Sequence, residues 1–142
     1  LFLSHYNLKR TEEKARQRLL AAINKPFTTI LGHPTGRLLL SRNGYPVNHQ
    51  QIIDACAEKK VVIEINAHPR RLDLDWRWIP YAQLRNVLLS VDPDAHSVEG
   101  MNDIYYGTLA ARKAGLTKKQ NLSSFTLKEL EAFLQQRQWK RK

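Results

Sequence analysis

The sequence predicts an α/β fold of parallel strands joined by crossover helices, the second half of a β/α barrel. Three observations predict it. Apolar runs at Leu1-Phe2-Leu3, 27–31, 61–65 and 87–91 are separated by segments with helical periodicity, long enough to cross over between parallel strands. Three of the runs end in metal-ligand-type side chains, at Ser4-His5, Gly32-His33-Pro34 and Asp94-Ala95-His96. Strand ends are where an α/β barrel keeps its chemistry. Finally, the chain opens on Leu1, its single methionine is Met101, and its first residues already read as a strand. The expectation is therefore one domain over 1–142 that forms the C-terminal portion of a longer barrel.

Each element has a local cause. After the first strand, Thr11-Glu12-Glu13 supplies an N-cap and two acids at a helix start, and Ala15, Leu19, Leu20, Ala22 and Ile23 supply its apolar stripe. Asn24-Lys25-Pro26 ends that helix. The second strand, 27–31, carries two threonines and an isoleucine and breaks at Gly32-His33-Pro34-Thr35-Gly36. Asn48 and Gln51 form a capping box for a helix carrying Ile52, Ile53, Ala55, Cys56 and Ala57, which ends near Lys59-Lys60. The third strand, Val61-Val62-Ile63-Glu64-Ile65, reads as buried on both faces, so Glu64 needs a partner or a place in the barrel interior. A weaker helix, 76–85, is interrupted by Pro80 and precedes the fourth strand, 87–91. Gly115 closes a helix over about 102–114, and Thr126 with Glu129 opens the last helix through a second capping box.

Composition narrows the partners. A chain of 142 residues that is 42% hydrophobic and 25% charged can bury one core. A net charge of +10, from 23 Lys and Arg against 13 Asp and Glu, suits a polyanion such as nucleic acid or a phosphorylated substrate. Solvated helix faces and the tail Arg137-Gln138-Trp139-Lys140-Arg141-Lys142 account for part of that excess. One cysteine, Cys56, excludes a disulfide framework and agrees with a reducing, cytoplasmic setting. No apolar stretch approaches the ~20 residues of a membrane span, so no membrane partner is expected.

His5, His33, Asp94 and His96 offer three imidazoles and a carboxylate, a set suited to zinc, manganese or iron. A lone histidine after a strand is more often a hydrogen-bonded structural residue, and Asp-x-His occurs by chance. Their recurrence at corresponding strand ends carries the reading, which on spacing alone stands even with the structural one. Arg37, after Gly36, could clamp a phosphate bidentately or be an ordinary surface charge. His49 and His68 read as surface residues, Asp92 as a turn acid beside Pro93, and Arg70 and Arg71 as ion partners of Asp73. Trp76, Trp78, Tyr105 and Tyr106 read as packing aromatics. No Gly-rich phosphate loop, Ser-His-Asp order or CxxC pair is present, so a metal-activated water is the nucleophile a hydrolase would need.

These segments, with Gly32-His33-Pro34-Thr35-Gly36-Arg37, Glu64-Ile65-Asn66-Ala67, Arg71-Leu72-Asp73 and Asp94-Ala95-His96-Ser97, resemble the polymerase and histidinol phosphatase (PHP) domain. The resemblance covers essentially the whole chain and is greatest to the form fused to bacterial family X DNA polymerases. It implies a distorted seven-stranded β/α barrel with up to three zinc or manganese ions that hydrolyses phosphoesters. In the polymerase-fused form it implies 3′-to-5′ exonuclease or 3′-end processing in DNA repair. By motif it assigns His5, His33, Asp94 and His96 as metal ligands, with Asp94 and His96 catalytic, Glu64 and Asn66 structural or near the site, and Arg37 a phosphate contact. The family's opening His-x-His motif, its next histidine and its bridging glutamate have no counterpart in Leu1–Lys142, so the isolated segment is expected to be inactive.

Two other readings remain open. One is a basic DNA-binding scaffold with a vestigial site, whose affinity falls steeply with salt. The other is a stand-alone phosphatase of a small phosphate monoester. Open barrel edges would also invite self-association.

Overall fold

The computed structural model describes residues 2–3 and 12–139, with side chains from Glu12 to Gln136. His5, the Thr11 cap and the side chains of the basic tail lie outside the described residues. The elements are β1 (Phe2–Leu3), α1 (Glu12–Ile23), β2 (Ile30–Gly32), α2 (His49–Lys59), β3 (Val62–Asn66), α3 (Ile79–Leu84), β4 (Leu89–Asp92), α4 (Ile104–Lys113) and α5 (Leu127–Trp139). Strand and helix alternate as the sequence predicts, with short 3-10 turns at Trp76–Trp78, Glu99–Asp103, Lys118–Gln120 and Leu122–Ser124.

All strand pairs are parallel and the order is β1-β2-β3-β4. Every crossover therefore steps to the next neighbour in the same direction, and a common handedness of connection sets the helices on one side. This winding is consistent with a partial β/α fold; a doubly wound sheet reverses direction part-way.

The two faces of the sheet differ. Ile63 and Ile65 of β3 join Leu31, Leu89 and Val91 in the apolar core, with Leu19 and Ile23 of α1, Ile52, Ile53 and Cys56 of α2, and Ala111 of α4. Alternation along β3 sends Glu64 and Asn66 to the opposite face. There they stand in register with Ser90 and Asp92 of β4. Gly107 lets α4 lie close: a Cβ at this position would come within 2.5 Å of the Ala67 Cβ and 2.8 Å of the Val91 Cγ1.

Several boundaries move from their expected places. β2 starts at Ile30 because the preceding residues form a turn, in which the Thr28 hydroxyl donates to the Ala22 carbonyl at 2.7 Å and Phe27 is exposed. Pro80 does not interrupt a helix. It sits in the first turn of α3, where its missing N–H has no partner to lose. Both capping boxes leave their mark: Gln51 N–H donates to Asn48 Oδ1 at 3.1 Å, and Thr126 N–H donates to Glu129 Oε2 at 2.7 Å.

The expectation of an open edge is corrected at β4. Asn121 bridges Leu89 in parallel, and Ser123 Oγ accepts from Val91 N–H and donates to the Val91 carbonyl, both at 2.9 Å. A covered edge offers no row of unpaired backbone groups to a second copy.

Candidate functional site

The polar face of the sheet is built around Glu64. His33 follows β2 directly, is fully buried, and holds a left-handed backbone with φ 25°. Such a conformation in a non-glycine residue needs its surroundings to enforce it. Glu64 Oε2 does so twice, accepting the His33 backbone N–H at 2.6 Å and facing His33 Nδ1 at 3.0 Å. Asn66 adds a longer contact to the same oxygen at 3.5 Å and accepts the His68 N–H at 3.1 Å. The partner demanded for a carboxylate inside an apolar strand is therefore His33.

Loops from adjacent strand ends are stitched together beside this pair. Past Ile63, β3 exchanges β2 for the returning segment at Asp73 and Leu74: Leu74 N–H donates to the Glu64 carbonyl at 3.1 Å, and Asn66 N–H to the Asp73 carbonyl at 2.8 Å. Asp73 Oδ2 in turn accepts from Thr35 N–H at 2.9 Å, Thr35 Oγ1 at 2.8 Å and Gly36 N–H at 3.1 Å. Burial pushes the Asp73 carboxyl above its ordinary range, against the lowering effect of the Thr35 hydrogen bonds. Its other oxygen, Oδ1, is buried without a partner among the described residues.

Arg37 is a strut in this arrangement. Its guanidinium donates to the Arg71 carbonyl at 2.8 Å, to Asp75 Oδ2 at 2.5 Å and to the Leu72 carbonyl. Three of its five N–H groups thus hold the 71–75 segment, a job the phosphate-clamp expectation did not include. Burial opposes ionisation of Asp75, but hydrogen bonds from Arg77 and Arg37 outweigh it and hold the carboxyl well below the usual range.

Asp94 and His96 lie beyond β4. Asp94, with φ 54°, pairs with Arg71 Nε at 3.1 Å. Arg71 therefore serves Asp94, and Asp73 serves Thr35 and Gly36; the expected Arg71–Asp73 pairing is replaced by these longer-range partners. His96 is exposed, and its Nδ1 lies 2.7 Å from the Asp94 carbonyl oxygen.

The donor chemistry fits part of a metal site. An oxygen acceptor opposite Nδ1, at His33 nearer than the Asn66 Nδ2 at 3.4 Å, favours the ring proton on Nδ1, the tautomer in which Nε2 could take a metal. Both His33 and His96 have this arrangement, one against a carboxylate and the other against a carbonyl. Among the described residues, however, no group of three His, Cys, Asp or Glu side chains converges on one point.

Three residues matter more than their sequence context suggested. Asp73 organises the His33 loop. Asp92 lies on the polar face, accepts from Ser90 Oγ at 3.0 Å, and is pushed above its ordinary pKa by burial and by the Glu64 charge, against that hydroxyl. His49 is no simple surface residue: its ring stacks on Trp78 at 4.7 Å with 5° between planes. Only the register of β4 against β3 could have brought out Asp92; nothing local marked the other two.

No family model matches the chain. Over 130 residues it is 35% identical to the DNA polymerase/3'-5' exonuclease PolX of Bacillus subtilis (strain 168), a match that covers 92% of this chain and 23% of that protein.

Proposed function

We propose that this chain is part of a PHP-type β/α barrel in a metal-dependent phosphoesterase that acts on DNA 3′ ends. Because it spans under a quarter of the relative's length, the activity belongs to the polypeptide that carries this region. The observation that supports the reading best is His33, buried at a strand end with Nδ1 held by Glu64. His33, Asp94 and His96, with His5, would hold the ions. The chemistry that bound zinc or manganese supplies is a lowered pKa of water and neutralisation of phosphate charge.

The chain's own residues orient the site. Glu64 fixes the His33 ring and backbone, Asp73 and Arg37 hold the loop that carries it, and Arg71 holds Asp94. The net charge of +10 favours a second reading, a DNA scaffold without catalysis.

A 3′-labelled single-stranded oligonucleotide incubated with the full-length protein and Mn²⁺ separates the two. Release of mononucleotides that chelator stops, and that His96→Ala reduces about 100-fold, supports the esterase. An intact oligonucleotide, bound with a steep loss of affinity as salt rises, supports the scaffold.

A further inference from the structure

A cleft of about 730 Å³ opens beside the His33 loop, between the segment that follows β2, the start of α2 and the turn at Asp75–Trp78. Its volume lies within the ~300–1,000 Å³ of small-ligand sites. Its lining combines two kinds of group that the esterase chemistry does not use: the rings of Tyr45, His49 and Trp78, and the guanidinium groups of Arg42 and Arg77. We infer that this cleft is a single-strand subsite that holds an unpaired nucleotide of the DNA neighbouring the one processed; the inference rests on the esterase reading for its choice of substrate.

Aromatic side chains offer π faces to bases that have left the stack, whereas a duplex presents only base edges and phosphates. Arginines beside such rings track the backbone and also stack. Burial first, with the Arg37 and Arg77 charges adding to it against Asp75, lowers the His49 pKa, so the stacked ring is a neutral imidazole. Arg77 is largely exposed although it shares Asp75 with Arg37. Arg42 makes long contacts of 3.3 and 3.2 Å to the Gly36 carbonyl, which leaves other N–H groups of its fork for a phosphate. The cleft is tied to the His33 loop through Thr35, which lines it and is bonded to Asp73.

The test is anisotropy of a labelled oligothymidylate on the full-length protein in chelator, where hydrolysis cannot occur. Tyr45→Ala and the double variant Arg42→Ala/Arg77→Ala should each weaken binding about tenfold or more, in the range of one stacked base. Tyr45→Trp should restore it, and Lys128→Ala on α5 should stay within twofold. Equal binding by wild type, Tyr45→Ala and the arginine variant overturns the inference, as does absence of binding by wild type. Unfolding midpoints checked in parallel show that each variant is folded. If the variants lose binding but Mn²⁺ produces no hydrolysis in wild type, the esterase reading fails and the subsite stands.

Discussion

The two described histidines proposed as ligands are held in opposite ways. His33 is buried, its backbone N–H and ring both face one carboxylate, and its loop is fastened by Asp73 and Arg37. His96 is exposed, and its ring faces the carbonyl of Asp94 two residues back. The contrast teaches that one half of the proposed site is fastened by buried contacts, whereas the other reaches solvent at His96. Substitutions in the first half should therefore cost more stability than substitutions in the second, whose main effect should be on function.

Glu64→Ala should break the contrast most severely. It removes the carboxylate that accepts the buried His33 N–H and faces its ring, a loss of about 3 kcal/mol measurable by urea unfolding. Asp73→Ala strips the acceptor from Thr35 and Gly36 and should cost about 2 kcal/mol in the same measurement. Arg71→Ala, which touches the second half, should cost only about 1 kcal/mol because the Asp94 pair is partly solvated.

A pH series sharpens the comparison from the side of Asp75. Its folded pKa lies below the ordinary 3.8 despite burial, because Arg77 and Arg37 favour the charged form. The unfolded chain then binds more protons in that range, so this stabilisation is present above 3.8 and is lost as pH falls towards the folded value. The stability difference between wild type and Asp75→Asn should shrink as pH is lowered from ~5 to ~2. A constant difference would mean that the arginine clamp does not hold the carboxylate. The smallest expected effect on stability is that of His96→Ala, within about 0.5 kcal/mol of wild type.

The order of elements was legible because apolar runs, capping boxes and the Pro and Gly breaks act locally. So was the need of Glu64 for a partner, since a lone carboxylate in a buried strand cannot stay uncompensated. Its identity was not, because His33 is 31 residues away and meets Glu64 only when β2 and β3 pair. The Arg71–Asp73 reading failed for the same reason: sequence proximity suggested a local ion pair, but the returning segment carries Asp73 to Thr35, 38 residues distant, and leaves Arg71 for Asp94. Arg37 shows the converse. A guanidinium after a glycine loop carries the same sequence signature whether it faces a phosphate or a neighbouring carbonyl.

The most direct test of the proposed site is Mn²⁺ binding followed by electron paramagnetic resonance on the full-length protein, comparing wild type with His96→Ala. The account predicts that the variant loses about tenfold or more in Mn²⁺ affinity while its unfolding midpoint stays unchanged. Wild-type affinity in His96→Ala, with the protein equally stable, would contradict it.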